Sequence, residues 1–134
     1  MIEKFEQYNS EYIVSLHGRN FHQFPITSYY RSPHNGFRCL GNVNKDTIVH
    51  FGGTGVMMFH TDLLKFSYED ILEPNMADIW VAKFANTINV KIMCLNHLDN
   101  FLGYQSEVGN ETIFDNHKFN DSIQTNLTNS IYVR

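Results

Sequence analysis

"HFGGTGVMMFH", His50 to His60, sets three glycines among four consecutive positions of a run that otherwise has the apolar composition of a buried strand. Glycine weakens a strand interior. Its repetition marks either a bulge that bends the chain or a place where some other group must approach the backbone closely. The flanking segments "DTIVHF" and "GVMMFH" both read as strand. The fold therefore turns at Gly52, Gly53 and Gly55, and the neighbouring elements have to be read from there.

Downstream, "SYEDILEPN" reads as a connector with one short helical turn. "NMADIWVAKFANTIN" then reads as a helix, since Ala77, Trp80, Val81, Phe84, Ala85 and Ile88 recur at the i, i+3, i+4 spacing of one apolar stripe. Asn75 stands at the expected N-cap, just after Pro74. "VKIMCL" follows as a short buried strand. Upstream, residues 2–9 carry Ile2, Phe5 and Tyr8 at helical spacing, and "EYIVSLHG" is a β-branched run closed by Gly18. Residues 19–45, with Pro25, Pro33, Gly36 and Gly41, read as a long loop of the kind that often carries function. The chain beyond Gly103 is polar and carries little signal.

Helix, strand, loop, strand, helix, strand is an α/β order, and it predicts a mixed sheet with flanking helices. At 134 residues the chain is long enough for one hydrophobic core and short for two domains, so residues 1–134 are read as a single domain. The formal charge of -4 supplies no basic field for nucleic acid. No apolar run reaches the roughly 18–20 residues that span a bilayer. The N-terminus lacks the apolar core of a secretory signal. Cys39 and Cys94, without CxxC spacing, fit reduced thiols in the cytoplasm.

Ligands of α/β sheets sit near the carboxyl ends of strands, and three polar features fall at such places: the glycine loop, Asp78 and His97. Each has an alternative reading. Asp78 could return a hydrogen bond to the N-cap amide of its helix. His97 could bond a backbone carbonyl at a loop start. In "SYYRS", Tyr29 and Tyr30 offer stacking faces and Arg31 a planar fork for an anion, although a loop packed by its own aromatics would look the same. Trp80, on the apolar stripe, reads as core. His50 and His60 would share a face of an unbroken strand, but the glycines make that register unreliable.

"HFGGTGVMMFHTD" followed by "EPNMADIWVAKFANTINVKIMCLNH" resembles the acceptor-side half of family 2 glycosyltransferases with the GT-A fold, of the bacterial surface-polysaccharide type. The resemblance covers about residues 1–105 and leaves 106–134 as a polar tail. It implies an inverting, metal-assisted transfer of a sugar from a nucleotide sugar to a surface glycan, in the cytoplasm at the inner face of the membrane. Carried over, Asp78 takes the place of the catalytic base, Gly53, Thr54 and Gly55 form the loop beside the sugars, and His97 completes a site for Mg²⁺ or Mn²⁺. Tyr30 and Arg31 are added as sugar and anion contacts.

The family's DxD motif is absent from the sequence, which opens directly on the first helix. Glu69-Asp70 and Asp99 come too late in the order to replace it. The resemblance thus leads one to expect a chain inactive alone, which works with a separate nucleotide-binding chain or by self-association. The competing expectation is a non-catalytic glycan- or protein-binding module derived from the same fold.

Overall fold

The computed structural model describes residues 1–8, 10–103 and 119–133. Its centre is β1 (Ile13–Ser15), whose three residues are all fully buried. β1 pairs in parallel with β7 (Ile92–Cys94) and antiparallel with β6 (Met57–Met58); β4 (Thr47–Val49) pairs antiparallel with β7. The four form one mixed sheet in the order β4-β7-β1-β6. Side chains alternate across it with the period of two that a pleated strand imposes. Ile13, Ile92 and Cys94 enter one core, and Val14 and Met93 enter the other. Both faces are covered, which is why "IVS" and "IMC" read as continuous buried runs.

A second, antiparallel sheet has the order β3-β2-β5, from β2 (Gly18–Phe21), β3 (His34–Phe37) and β5 (Phe51–Gly52). β2 continues β1 after only Leu16 and His17, and β5 continues β4 after only His50. Two passes of chain therefore run from one sheet into the other, and a one-turn 3-10 helix, Thr54–Val56, carries the chain back to β6. The helix α2 (Ala77–Thr87) packs on the face that holds Ile13 and Phe51. α1 (Ile2–Gln7) covers the opposite face with Phe5. α3 (Ser122–Tyr132) closes the first core from outside with Leu127, Ile131 and Tyr132.

The expected mixed α/β architecture is present, with several corrections. Residues 19–45 contain β2 and β3, which "GRNF" and "HNGF" conceal because a polar strand carries no apolar alternation. α2 begins one residue later than expected: Met76 is the N-cap, while Asn75 lies at φ 62 and caps nothing. Its buried face is Ile79, Val81, Ala82 and Ala85, rotated from the expected stripe, and Ala77 and Ile88 are exposed. Trp80 packs partly buried against the core, with the Lys83 ammonium 4.9 Å from its ring. Part of the expected polar tail is α3; residues 106–118 lie outside the described residues.

α3 escapes sequence reading because the residues it buries are Gln124, Thr125 and Thr128 rather than an apolar stripe. Its attachment is polar. Asp121 accepts from the Ser28 hydroxyl at 2.6 Å and from the Tyr30 amide at 2.9 Å, and Thr125 Oγ1 accepts from the Tyr29 amide at 2.9 Å. Asn129 exchanges two hydrogen bonds with the backbone of Ile26, and the Tyr132 hydroxyl donates to the His50 carbonyl at 2.9 Å. Tyr132 also stacks on Phe24 with centroids 4.5 Å apart.

α1 is tied down in a similar way by Asp46, which accepts from Lys4 at 3.0 Å, the Tyr8 hydroxyl at 2.6 Å and the Asn96 amide at 2.7 Å. Burial works against the charged carboxylate, but these three donors win and hold its pKa below the ordinary 3.8. Removing a partly buried acceptor with three donors costs about 1–3 kcal/mol. Asp46→Ala is expected to lose that much in urea unfolding at pH 7. A depressed folded pKa gives stability that is present above 3.8 and disappears as pH falls through the folded value. The gap between wild type and variant should therefore close below pH ~4. A gap that persists in acid would show that the carboxylate is not the source.

Candidate functional site

A cavity of about 520 Å³ opens just past the C-terminal end of β1. Among the described residues, four stretches far apart in sequence line it. His17, Gly18 and Arg19 come from the first sheet crossing, and Phe51 to Thr54 from the second. Asn75 to Ile79 come from the start of α2, and Tyr29 and Tyr30 from the loop that α3 holds, with Gln124 added by α3 itself. The volume lies inside the ~300–1,000 Å³ range of small-ligand sites.

The sheet crossings account for the glycines. A methyl group on Gly52 would stand 2.9 Å from Ile92 Cγ2 and 3.2 Å from Ser15 Cβ, and one on Gly53 would stand 2.8 Å from His17 Cβ. Gly18 meets Val49 in the same way, at 2.9 Å. These residues are small because the two passes of chain touch each other where they change sheets. Hydrogen bonds lock the contact: the Gly53 amide donates to the His17 carbonyl at 3.0 Å, and the Ser15 hydroxyl lies 2.8 Å from the His17 carbonyl and 3.2 Å from that of Gly53. Gly55 differs, since a methyl group there would meet nothing within 4 Å. It also lies off the cavity wall, whereas Gly53 and Thr54 are on it.

Asp78 sits in the first turn of α2, where a carboxylate favours the positive helix end. It does not cap the helix; its Oδ2 accepts from the Tyr29 hydroxyl at 2.9 Å. Its Oδ1 has no hydrogen bond among the described residues. Tyr29 is a buried partner whose pKa burial pushes well above 10.0, with the Asp78 charge adding to the effect, so it stays a donor at neutral pH. The His17 pKa is lowered from 6.5, chiefly by burial and next by the Arg19 charge, so its imidazole is neutral around pH 7.

Of the residues singled out in the sequence, Asp78, Gly53, Thr54 and Tyr30 meet at this cavity. Arg31 does not: it is exposed and off the lining, and the guanidinium on the wall is that of Arg19. His97 is also elsewhere. It is buried beside the bridge to Val43, with Nδ1 2.8 Å from the Leu95 carbonyl and Nε2 3.2 Å from the Arg38 carbonyl. Both ring nitrogens already face backbone oxygens, which removes it from the cavity chemistry. His50 accepts from the Phe21 amide and His60 is exposed, so they form no pair.

The donor set does not fit Mg²⁺ or Mn²⁺, which want several oxygen ligands. Asp78 is the one carboxylate on the described lining, and Arg19 and His17 are its neighbours. Asp70 is spent on the Ser67 amide at 2.7 Å in the cap of a 3-10 turn, Tyr68–Asp70. No group of three His, Cys, Asp or Glu among the described residues could hold a metal ion. Sequence reading missed His17, Arg19, Tyr29 as the partner of Asp78, and Gln124. The adjacent "HGR" after a buried strand was the available signal for the first two.

The glycine geometry gives a contrast to measure. Gly52→Ala and Gly53→Ala should each lose about 1–3 kcal/mol through overpacking. Gly55→Ala should stay within about 0.5 kcal/mol. Urea unfolding of the three variants would decide, and equal costs would mean that the crossing is not the reason for the glycines. A scan of the chain against protein-family models finds no match, and a search of curated proteins finds none either.

Proposed function

We propose that the cavity is the acceptor site of a family 2-like, GT-A-type glycosyltransferase, in which Asp78 is the base. The observation that carries this reading is the meeting of Asp78, oriented by Tyr29 and with Oδ1 open, with the Gly53-Thr54 wall and Tyr30 in one cavity of ligand size. A base whose second oxygen is fixed by a third group is oriented for proton abstraction from a hydroxyl. Tyr30 offers an aromatic face of the kind that sugar rings stack on.

In the proposed reaction the acceptor hydroxyl gives its proton to Asp78 Oδ1 while its oxygen forms the bond to the anomeric carbon of the donor sugar. The bond from that carbon to the diphosphate breaks, and the nucleoside diphosphate leaves with the electron pair. One displacement inverts the anomeric centre. The described residues supply acceptor binding and deprotonation. They hold no donor set for a cation, so a metal ion that neutralised the leaving diphosphate would take ligands from outside them, in this or another chain.

The test is release of nucleoside diphosphate from a panel of UDP- and GDP-sugars with oligosaccharide acceptors, with a nucleotide-binding GT-A segment supplied in cis or in trans. Asp78→Asn keeps the size of the side chain and loses the base. It is expected to lower turnover by ~10²–10⁴-fold with a smaller change in acceptor KM. Turnover within a few-fold of wild type would remove Asp78 as the base. Saccharide binding with no turnover under any pairing would favour a binding module built on the same cavity.

A further inference from the structure

Arg19 carries the positive charge of the cavity, and no carboxylate of the described residues, Asp78 on the same wall included, makes an ion pair with it. Its Nη1 donates to the Tyr29 carbonyl at 2.7 Å, and the guanidinium lies 4.7 Å from the Tyr29 ring centroid and 5.8 Å from that of Phe21. One hydrogen bond and two aromatic faces therefore hold the fork in place. The other N–H groups of the fork make no hydrogen bond to the described residues, and no Asp or Glu among them pairs with it. Holding the loop of Tyr29 uses one N–H. It leaves a half-buried, preorganised fork on the wall of the cavity without a direct anionic partner among the described residues.

A charge withdrawn from water without a counter-charge costs free energy, and a rigid guanidinium recovers that cost best by binding a carboxylate or phosphate in two parallel hydrogen bonds. Neutral His17 adds no charge, so the recognition falls to Arg19. Asp78 on the same wall repels an anion and accepts from a hydroxyl. The two side chains thus sort the ends of one ligand, an acid group at Arg19 and a hydroxyl at Asp78.

We infer that the acceptor is an acidic sugar, with its carboxylate or phosphate ester on Arg19 and its reacting hydroxyl at Asp78. The inference rests on the acceptor-site reading above and narrows its substrate class. A neutral sugar would leave the fork desolvated and unpaired, which penalises it relative to an acidic one.

Two-dimensional amide NMR of the full chain tests it, with methyl glucuronide, glucose 6-phosphate, neutral methyl glucoside and UDP as probes. The acidic sugars should shift the amides of Gly18, Gly53 and Ala77 with a Kd at least about tenfold below that of the glucoside. Whichever of the two binds tighter identifies the acid group as carboxylate or phosphate. In Arg19→Gln the ratio should fall to about one. Because that variant also loses the Tyr29 clamp, wild type is titrated at low and high salt as well, where only the acidic sugars should weaken. Equal binding of acidic and neutral sugars would overturn the inference and leave the acceptor site standing. No sugar binding would overturn both. Displacement by UDP, lost in Arg19→Gln, would overturn the inference by giving Arg19 to the donor.

Discussion

Two passes of chain change sheets at the same place, and they can do so only because glycine backbone lets neighbouring side chains press against it. Gly18 lies against Val49, Gly52 against Ile92 and Ser15, and Gly53 against His17. Each contact is closer than a Cβ would allow. The hydroxyl of Ser15, fully buried in β1, reaches the carbonyls of both His17 and Gly53 and so joins the two passes at their closest point. The candidate site is arranged around this crossing, since its two loops form adjoining walls of the cavity and α2 starts beside them.

The rest of the site is held from further away. α2 brings Asp78 to the cavity by burying Ile79, Val81, Ala82 and Ala85 in the larger core, where each aliphatic side chain of valine size or larger contributes about 1.5–3 kcal/mol. The tyrosine loop has no regular structure of its own and depends on α3, whose Asp121 and Thr125 fix the amides of Tyr30 and Tyr29. Arg19 fixes the Tyr29 carbonyl. With both ends of that residue held and its ring packed against Phe21 and Phe51, its hydroxyl reaches Asp78. The last helix of the described chain thereby sets the orientation of a carboxylate near its middle.

How much of this could be read in advance follows from which residues bury apolar surface. "EYIVSLHG" and "VKIMCL" announced central strands because both faces of their sheet are covered, and the α2 segment announced a helix through its 3.6-residue period. β2 and β3 gave no such signal, since Arg19, Asn20, Asn35 and Gly36 put polar atoms or nothing where alternation would have shown. α3 was hidden because the residues it turns inward are Gln124, Thr125 and Thr128, of which Thr125 bonds the Tyr29 amide. Asp78, Gly53, Thr54 and Tyr30 were legible as candidates. Arg31 lies off the cavity and His97 is buried against backbone carbonyls, because the neighbours in sequence do not reveal which way a loop side chain faces.

By itself, then, the sequence determined a mixed α/β chain with strands at 13–15 and 92–94, a helix opening near Asp78, and a glycine-bearing turn after Phe51. These are local properties, fixed by periodicity, β-branching and the cost of glycine in a strand. Only the tertiary structure decided that the glycines serve contact between two chain passes, that Tyr29 orients Asp78, and that Arg19 and not Arg31 lines the cavity. Those facts depend on residues as far apart as Ser28 and Asp121 meeting in space. Hydrogen bonds between polar side chains leave no period in the sequence, so nothing short of the fold could assign them.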